Sequence, residues 1–203
     1  MTCARRVSVA LLAVALAVVL GGAGLAAKPG GHPRRRAVDA IIIHSLGGPD
    51  CRDGRPFFRA VDGDARQWLA TFNRLPIVSI HYVIGRDGEV AAGVPENVAA
   101  THATGWNQRS IGIELVNNGD GTDPFPAPQL TALVQLVRAI RDRHPAILPA
   151  RILRHSDVDR SLFPAARFGG ACAGYRRKLD PGDAFPWDAF RTAVGATVAT
   201  AGQ

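Results

Sequence analysis

Ile41-Ile42-Ile43-His44-Ser45-Leu46 is the stretch from which the architecture is read. Three consecutive β-branched residues favour a strand. Apolar side chains on both parities mean a strand covered on both faces, inside a sheet rather than at its surface. A histidine follows where the run meets a loop of Gly47, Gly48 and Pro49. A strand end fixes the backbone while a loop leaves the ring reachable, which suits an imidazole with chemistry to do. A lone histidine at a strand end is more often an ordinary hydrogen-bonded residue, so the meaning of His44 depends on what the rest of the chain brings to it.

Outward from that strand, helical and extended patterns interleave. Residues 50–62, with Cys51, read as a loop. Ala65, Trp68, Leu69 and Phe72 recur at the spacing of one helical face, with Asp62 or Asp64 placed to cap it and Pro76 to end it. Ser79-Ile80-His81-Tyr82-Val83-Ile84 and Glu89-Val90-Ala91 flank Arg86-Asp87-Gly88, a hairpin signature. Residues 94–105, with His102, show no period. Next, Ile111, Ile113 and Leu115 share one strand face, and Gly112 and Glu114 the other. A carboxylate on an otherwise apolar central strand needs a polar partner or a solvated cleft. Pro128 opens a helix whose apolar face is Leu130, Leu133, Val134, Val137 and Ile140, and which stops at His144 before Pro145. Arg151-Ile152-Leu153-Arg154 is a short strand that delivers His155. A long irregular segment then leads to Lys178-Leu179-Asp180-Pro181-Gly182, and a last helix uses Trp187, Phe190 and Val194. The hairpin forbids an all-parallel sheet. The expected fold is α/β, a mixed central β-sheet flanked by helices in a single domain.

Before the strand, Arg5-Arg6, an apolar run over 7–20 and small residues up to Ala27 follow the order of a secretory signal peptide. A retained anchor is the alternative, although the run is shorter than the roughly 20 apolar residues of a comfortable span. The expected organisation is a signal peptide over 1–27, a flexible basic leader over 28–37 and one domain over 38–203. The protein is expected to be exported, periplasmic or secreted, with no stable membrane span after cleavage. Cys51 and Cys172 then remain, and export favours a disulfide between them, two free thiols being the alternative. Closing a loop of roughly 120 residues is worth on the order of 4–5 kcal/mol in the chain-entropy model. The formal net charge is +7. Arg5, Arg6 and the leader hold several of these charges, so the folded part is mildly basic. No clustering of arginine with aromatics marks it for nucleic acid, which is not an expected partner. A monomer is expected.

Two histidines, His44 and His155, each follow an apolar strand. If those strands are neighbours, both rings point to one sheet edge. Zinc takes neutral imidazole and carboxylate, and a catalytic zinc keeps three protein ligands and a water. Candidates for the third ligand are Asp157, Asp159, Asp180, His81 and His102. Asp157 could equally cap its own loop. Asp180 precedes Pro181, which biases it to an extended conformation and sets Lys178 and Asp180 on one side. A solvated surface pair is the plain alternative for those two.

Taken together, these features make the chain resemble the zinc-dependent N-acetylmuramoyl-L-alanine amidases of the type-2 amidase family, relatives of the peptidoglycan recognition proteins and of phage T7 lysozyme. The matching pieces are Ile42-Ile43-His44, residues 79–88 around His81, Thr101-His102-Ala103, Ser110-Ile111-Gly112-Ile113-Glu114-Leu115, Arg154-His155-Ser156-Asp157 and Lys178-Leu179-Asp180-Pro181-Gly182. They occur in the family's order. The resemblance implies a peptidoglycan recognition protein-like domain that hydrolyses the amide between muramic acid and L-alanine in peptidoglycan or muropeptides. It implies Zn2+ on His44, His155 and Asp180, with Glu114 acting on the zinc-bound water and Lys178 beside the oxyanion. His102 and His81 are the implied substrate-binding residues, His81 being read equally as a core residue or a support to the site. A non-catalytic recognition module is the alternative. One departure is an excursion over 160–177 that carries Cys172, which a Cys51–Cys172 disulfide would tie to the loop after His44.

Overall fold

The computed structural model describes residues 31–195. In chain order its elements are β1 (Gly31–Pro33), β2 (Ala40–Ser45), β3 (Pro49–Arg52), β4 (Arg55–Phe58), α1 (Ala65–Arg74), β5 (Tyr82–Ile84), β6 (Val90–Ala92), β7 (Val98–Ala100), β8 (Ser110–Leu115), α2 (Ala127–Arg143), β9 (Ile152–Arg154), α3 (His155–Val158) and α4 (Trp187–Gly195). The central sheet has the order β6-β5-β8-β2-β9. β2 runs parallel to β8 and β9, β5 runs parallel to β8, and only β6 is antiparallel to its neighbour. Parallel neighbours need long crossovers, which α1 and α2 supply, whereas the tight turn at Asp87-Gly88 permits only antiparallel pairing. The expected mixed sheet is the one found.

Alternating residues divide the sheet into two faces. Ile41, Ile43, Ile84, Ile111, Ile113 and Leu115 pack with Leu133, Val137 and Ile140 of α2 and with Trp187, Phe190 and Val194 of α4. On the opposite face Ile80, Val83 and Val116 meet Ala65 of α1, with Trp68, Leu69 and Phe72 beside them. α1 begins as expected, with Asp64 accepting from the Gln67 amide at 2.8 Å and Gln67 Oε1 accepting from the Asp64 amide at 3.1 Å. It lies on β5 and β6. The neighbouring part of that face, over β8 and β2, is left to floor a cleft. Gln129 is fully buried on α2 and donates to the carbonyls of Ile84 and Val116, satisfying the backbone where β5 and β8 end.

The structure corrects three readings. Residues 50–62 are not a plain loop: β3 and β4 form a hairpin turning at Asp53-Gly54, whose φ values of 50° and 72° are left-handed. The Asp-Gly signal was present, but its flanking residues do not alternate. Residues 94–105 contain β7. The leader expected to be flexible over 28–37 is part of the fold from Gly31 onward, because β1 pairs with β7 and Arg34 inserts beside it. The Arg34 guanidinium donates to the carbonyls of Glu96 at 3.0 Å, Asn107 at 3.3 Å, Val98 at 3.0 Å and Ser110 at 3.2 Å. A planar fork with five N–H donors suits such a ring of carbonyls. The signal-peptide reading over 1–27 lies outside the described residues, and among the described residues no helix is long and apolar enough to cross a membrane.

The excursion over 160–177 doubles back on itself. Leu162 bridges Arg176 antiparallel, and the Phe163 amide donates to Tyr175 at 2.9 Å. Its tip is held to β3 by the Cys51–Cys172 disulfide, which spans 121 residues, and by the Cys172 amide donating to Gly54 at 3.2 Å.

Replacing Arg34 by alanine strands these carbonyls. Arg34→Ala is expected to cost about 2 kcal/mol, since each bond to a charged donor is worth roughly 1.5–3 kcal/mol net. Thermal melts should then show a Tm lower by roughly 4–8 °C, and an unchanged Tm would show that the clasp is incidental.

Candidate metal centre

His44 is the penultimate residue of β2, and β9 alongside it hands directly to His155 at the start of α3. The returning arm brings Asp180 between them. His44 Nδ1 lies 2.9 Å from His155 Nδ1 and 3.3 Å from Asp180 Oδ2, and His155 Nδ1 lies 2.9 Å from Asp180 Oδ2. All three residues are buried. The Asp180 arm is pinned on both sides: the Ser156 amide donates to the Asp180 carbonyl at 3.1 Å, and Ser45 Oγ donates to the Pro181 carbonyl at 3.2 Å. Arg176 adds a bond from its guanidinium to the Ser156 carbonyl at 2.7 Å. The excursion therefore leaves Asp180 in place.

These three residues could hold a metal ion, their ligand atoms lying within 4.8 Å of one another. The donor set fits one. Around a tetrahedral ion with bonds of roughly 2.0–2.2 Å, donor atoms stand about 3.3–3.6 Å apart, and the observed triangle is slightly tighter. The electrostatics agree. Burial holds the His44 imidazole down at about 4, against the raising effect of Asp180, so the ring is neutral with a lone pair to offer. Burial pushes the Asp180 carboxyl up, but its hydrogen bond with His155 and the nearness of His44 outweigh it and keep Asp180 ionised.

Glu114 stands in register with His44 across the β2–β8 pairing and lines the same cleft of about 630 Å3. Its Oε2 is buried without a hydrogen-bond partner. Burial, helped by the negative charge of Asp180 and opposed by Lys178, pushes this carboxyl up to about 8. Lys178 also lines the cleft, with its charge acting on both Glu114 and His44. Arg177, Trp68 and Phe72 complete the nearby walls.

The remaining predicted residues separate. His102 lines the cleft, but its Nδ1 is 2.9 Å from His44 Nε2, so it adjoins a candidate ligand. His81 is not among the residues that line the cleft. It is wholly buried, accepts the Gly112 amide at Nδ1 and faces the Val98 carbonyl with Nε2, each at 3.0 Å, so both ring nitrogens serve the fold. Asp157 turns to the Arg154 amide at 3.4 Å, and Asp159 is 3.9 Å from His155 Nε2, beyond hydrogen-bond reach. Sequence reading missed Ser110, which touches His102 from β8. Its parity with Gly112 and Glu114 was the available signal, since a strand face carrying serine, glycine and glutamate departs from the apolar rule.

A buried His/His/Asp cluster, with both histidines at the ends of parallel strands, shares one cleft with a glutamate and a lysine and could hold a metal ion. The chain matches the family model described as N-acetylmuramoyl-L-alanine amidase over residues 34–183 and belongs to that family. It is 32% identical over 172 residues to the 1,6-anhydro-N-acetylmuramyl-L-alanine amidase AmpD of Enterobacter cloacae, covering 78% of this chain and 82% of that protein. It is 34% identical over 133 residues to the endolysin of Escherichia phage T7, covering 65% and 83%. The amidase AmiD from E. coli, solved with anhydro-N-acetylmuramic acid-L-Ala-D-gamma-Glu-L-Lys, superposes with a TM-score of 0.55 at 26% identity, covering 85% of this chain and 60% of that one.

The raised Glu114 carboxyl has a measurable consequence in metal-free protein. Its unfolded value is 4.5 and its folded value about 8. Between those limits the unfolded chain releases the proton and the folded chain keeps it, so this group lowers stability as pH rises. Glu114→Gln should raise the Tm of chelator-treated protein more at pH 8 than at pH 5. Equal gaps at both pH values would show that the carboxyl titrates normally.

Proposed function

We propose that this protein is an exported zinc-dependent amidase that cleaves the bond between the lactyl carbonyl of N-acetylmuramic acid and the amine of L-alanine, in peptidoglycan or muropeptides. The observation that carries the reading is the convergence of His44, His155 and Asp180 opposite Glu114 in one cleft. The substrate class is supported by the family match and by the muropeptide named in the AmiD complex. Export is supported by the pattern of residues 1–27 and by the disulfide, which persists in oxidising compartments.

Zinc held by these two imidazoles and one carboxylate would supply a water of lowered pKa, toward roughly 7, and Lewis-acid polarisation of the carbonyl. The protein's own groups do the rest. Glu114 accepts the proton of the attacking water and passes it to the alanine nitrogen as the carbon–nitrogen bond breaks, leaving a lactyl carboxylate and a free amine. A carboxyl held near neutrality is suited to both transfers. Lys178 places a positive charge beside the carbonyl oxygen as it becomes negative. A preorganised charge in a half-dry cleft stabilises that state more than water does.

Digestion of purified peptidoglycan followed by mass spectrometry tests this reading. Wild type should carry about one zinc per chain, release peptides with free N-terminal alanine and lose activity on chelation. Glu114→Ala should keep zinc and lose on the order of 10²–10⁴ in kcat, while Asp180→Ala should lose the zinc itself. New reducing sugar ends without alanine amines would overturn the assignment. Wall binding without turnover by zinc-loaded protein would make the domain a recognition module instead.

A further inference from the structure

We infer that Ser110 and His102 form a hydrogen-bond relay that fixes the tautomer of His44, which makes His102 a positioning residue for a metal ligand rather than a contact to substrate. The inference rests on the metal reading above, and it follows from where the protons must lie. Ser110 Oγ is 2.8 Å from the Trp106 carbonyl. Two oxygens that close need a proton between them, and a carbonyl has none, so the serine hydroxyl donates there. The Trp106 carbonyl accepts the Arg109 amide at 2.9 Å as well, which fixes its place.

Only lone pairs of Ser110 Oγ are then left to face His102 Nε2 at 3.2 Å, so that nitrogen carries the hydrogen. The His102 ring packs edge-on between two other imidazoles, His44 and His81, and its polar contacts are a serine hydroxyl and an imidazole, neither of which balances a positive charge. A neutral ring protonated at Nε2 has a lone pair at Nδ1. That lone pair faces His44 Nε2 at 2.9 Å, so His44 is also protonated at Nε2. The lone pair of His44 is thereby set on Nδ1, the atom that faces His155 and Asp180. Both ring nitrogens of His102 are occupied, and neither is free to bond a substrate.

The surroundings hold this geometry. Asn107 Oδ1 accepts the His102 amide at 3.0 Å and the Ala103 amide at 2.8 Å. Gly112 on β8 supplies the space, since a Cβ there would lie 2.6 Å from His102 Nδ1 and 2.7 Å from its Cγ. Supports of this kind orient a metal-binding histidine and commonly alter affinity by roughly 10- to 100-fold when lost.

Two measurements on the full chain test the relay. The first is long-range 15N–1H correlation NMR of metal-free protein, in which His44 and His102 should both be Nε2-protonated; an Nδ1-protonated His44 would overturn the inference. The second is competition of zinc chloride against a calibrated chelator, with steady-state kinetics at saturating zinc. His102→Leu, which removes the acceptor, should weaken zinc binding roughly 10- to 100-fold. His102→Asn, whose amide oxygen can replace Nδ1 as acceptor, should restore most of it, and KM should stay within about twofold of wild type for both variants. A raised KM with unchanged zinc affinity would mean substrate contact, and equal loss in the leucine and asparagine variants would mean packing alone. Should the leucine variant fail to fold, Ser110→Ala takes its place: it frees the His102 tautomer, and unchanged zinc affinity would count against the relay. Wild type that binds no zinc yet shows both Nε2 tautomers would overturn the metal reading and leave the proton arrangement standing.

Discussion

Three electron-rich atoms, two imidazole nitrogens and a carboxylate oxygen, are held within 3.3 Å of one another in a place from which water is largely excluded. Left to themselves these groups would repel or compete for one proton, and burial removes the solvent that could relieve them. The fold sustains the arrangement by anchoring each group on a different rigid part. His44 rides on the most buried strand, His155 on the junction of β9 with α3, and Asp180 on an arm pinned from both sides. A cation could resolve the conflict, and the same cleft is lined by Glu114 and Lys178.

The same constraint explains features that would otherwise look wasteful. An excursion of 160–177 is a long detour between one candidate ligand and the next, and long segments fray unless they are tied down. Here the Cys51–Cys172 disulfide fastens its tip, and Leu162 and Arg176 close its base. Glu114 is the complementary case. A carboxyl on a central strand is expensive to ionise, and burial in the cleft pushes this one up to about 8.

Much of this was legible in the chain. His44 and His155 follow apolar strands, α1 shows its helical face and its Asp64 cap, and Glu114 breaks the pattern of its strand. Choosing the candidate ligand set needed the family resemblance, since Pro181 only biases the choice toward Asp180 over Asp157 and Asp159. Other parts left no local mark. Arg34 sits in a Gly- and Pro-rich run without periodicity, and its carbonyl partners lie 62 to 76 residues away. His81 and His102 are each followed in sequence by ordinary residues, and only the packing shows that one is consumed by backbone groups and the other by a neighbouring ring. Periodicity reports which face a side chain occupies; it says nothing about which of its nitrogens is already taken.

Ser110 joins two of these features. Its hydroxyl bonds to His102, and its carbonyl accepts from Arg34. The N-terminal strap and the ring that backs a candidate metal ligand are therefore seated on a single residue. For anyone choosing an expression boundary or fusing a tag, the segment at Gly31–Arg34 is not a neutral handle. Trimming it reaches the imidazole at the end of β2 through three side chains.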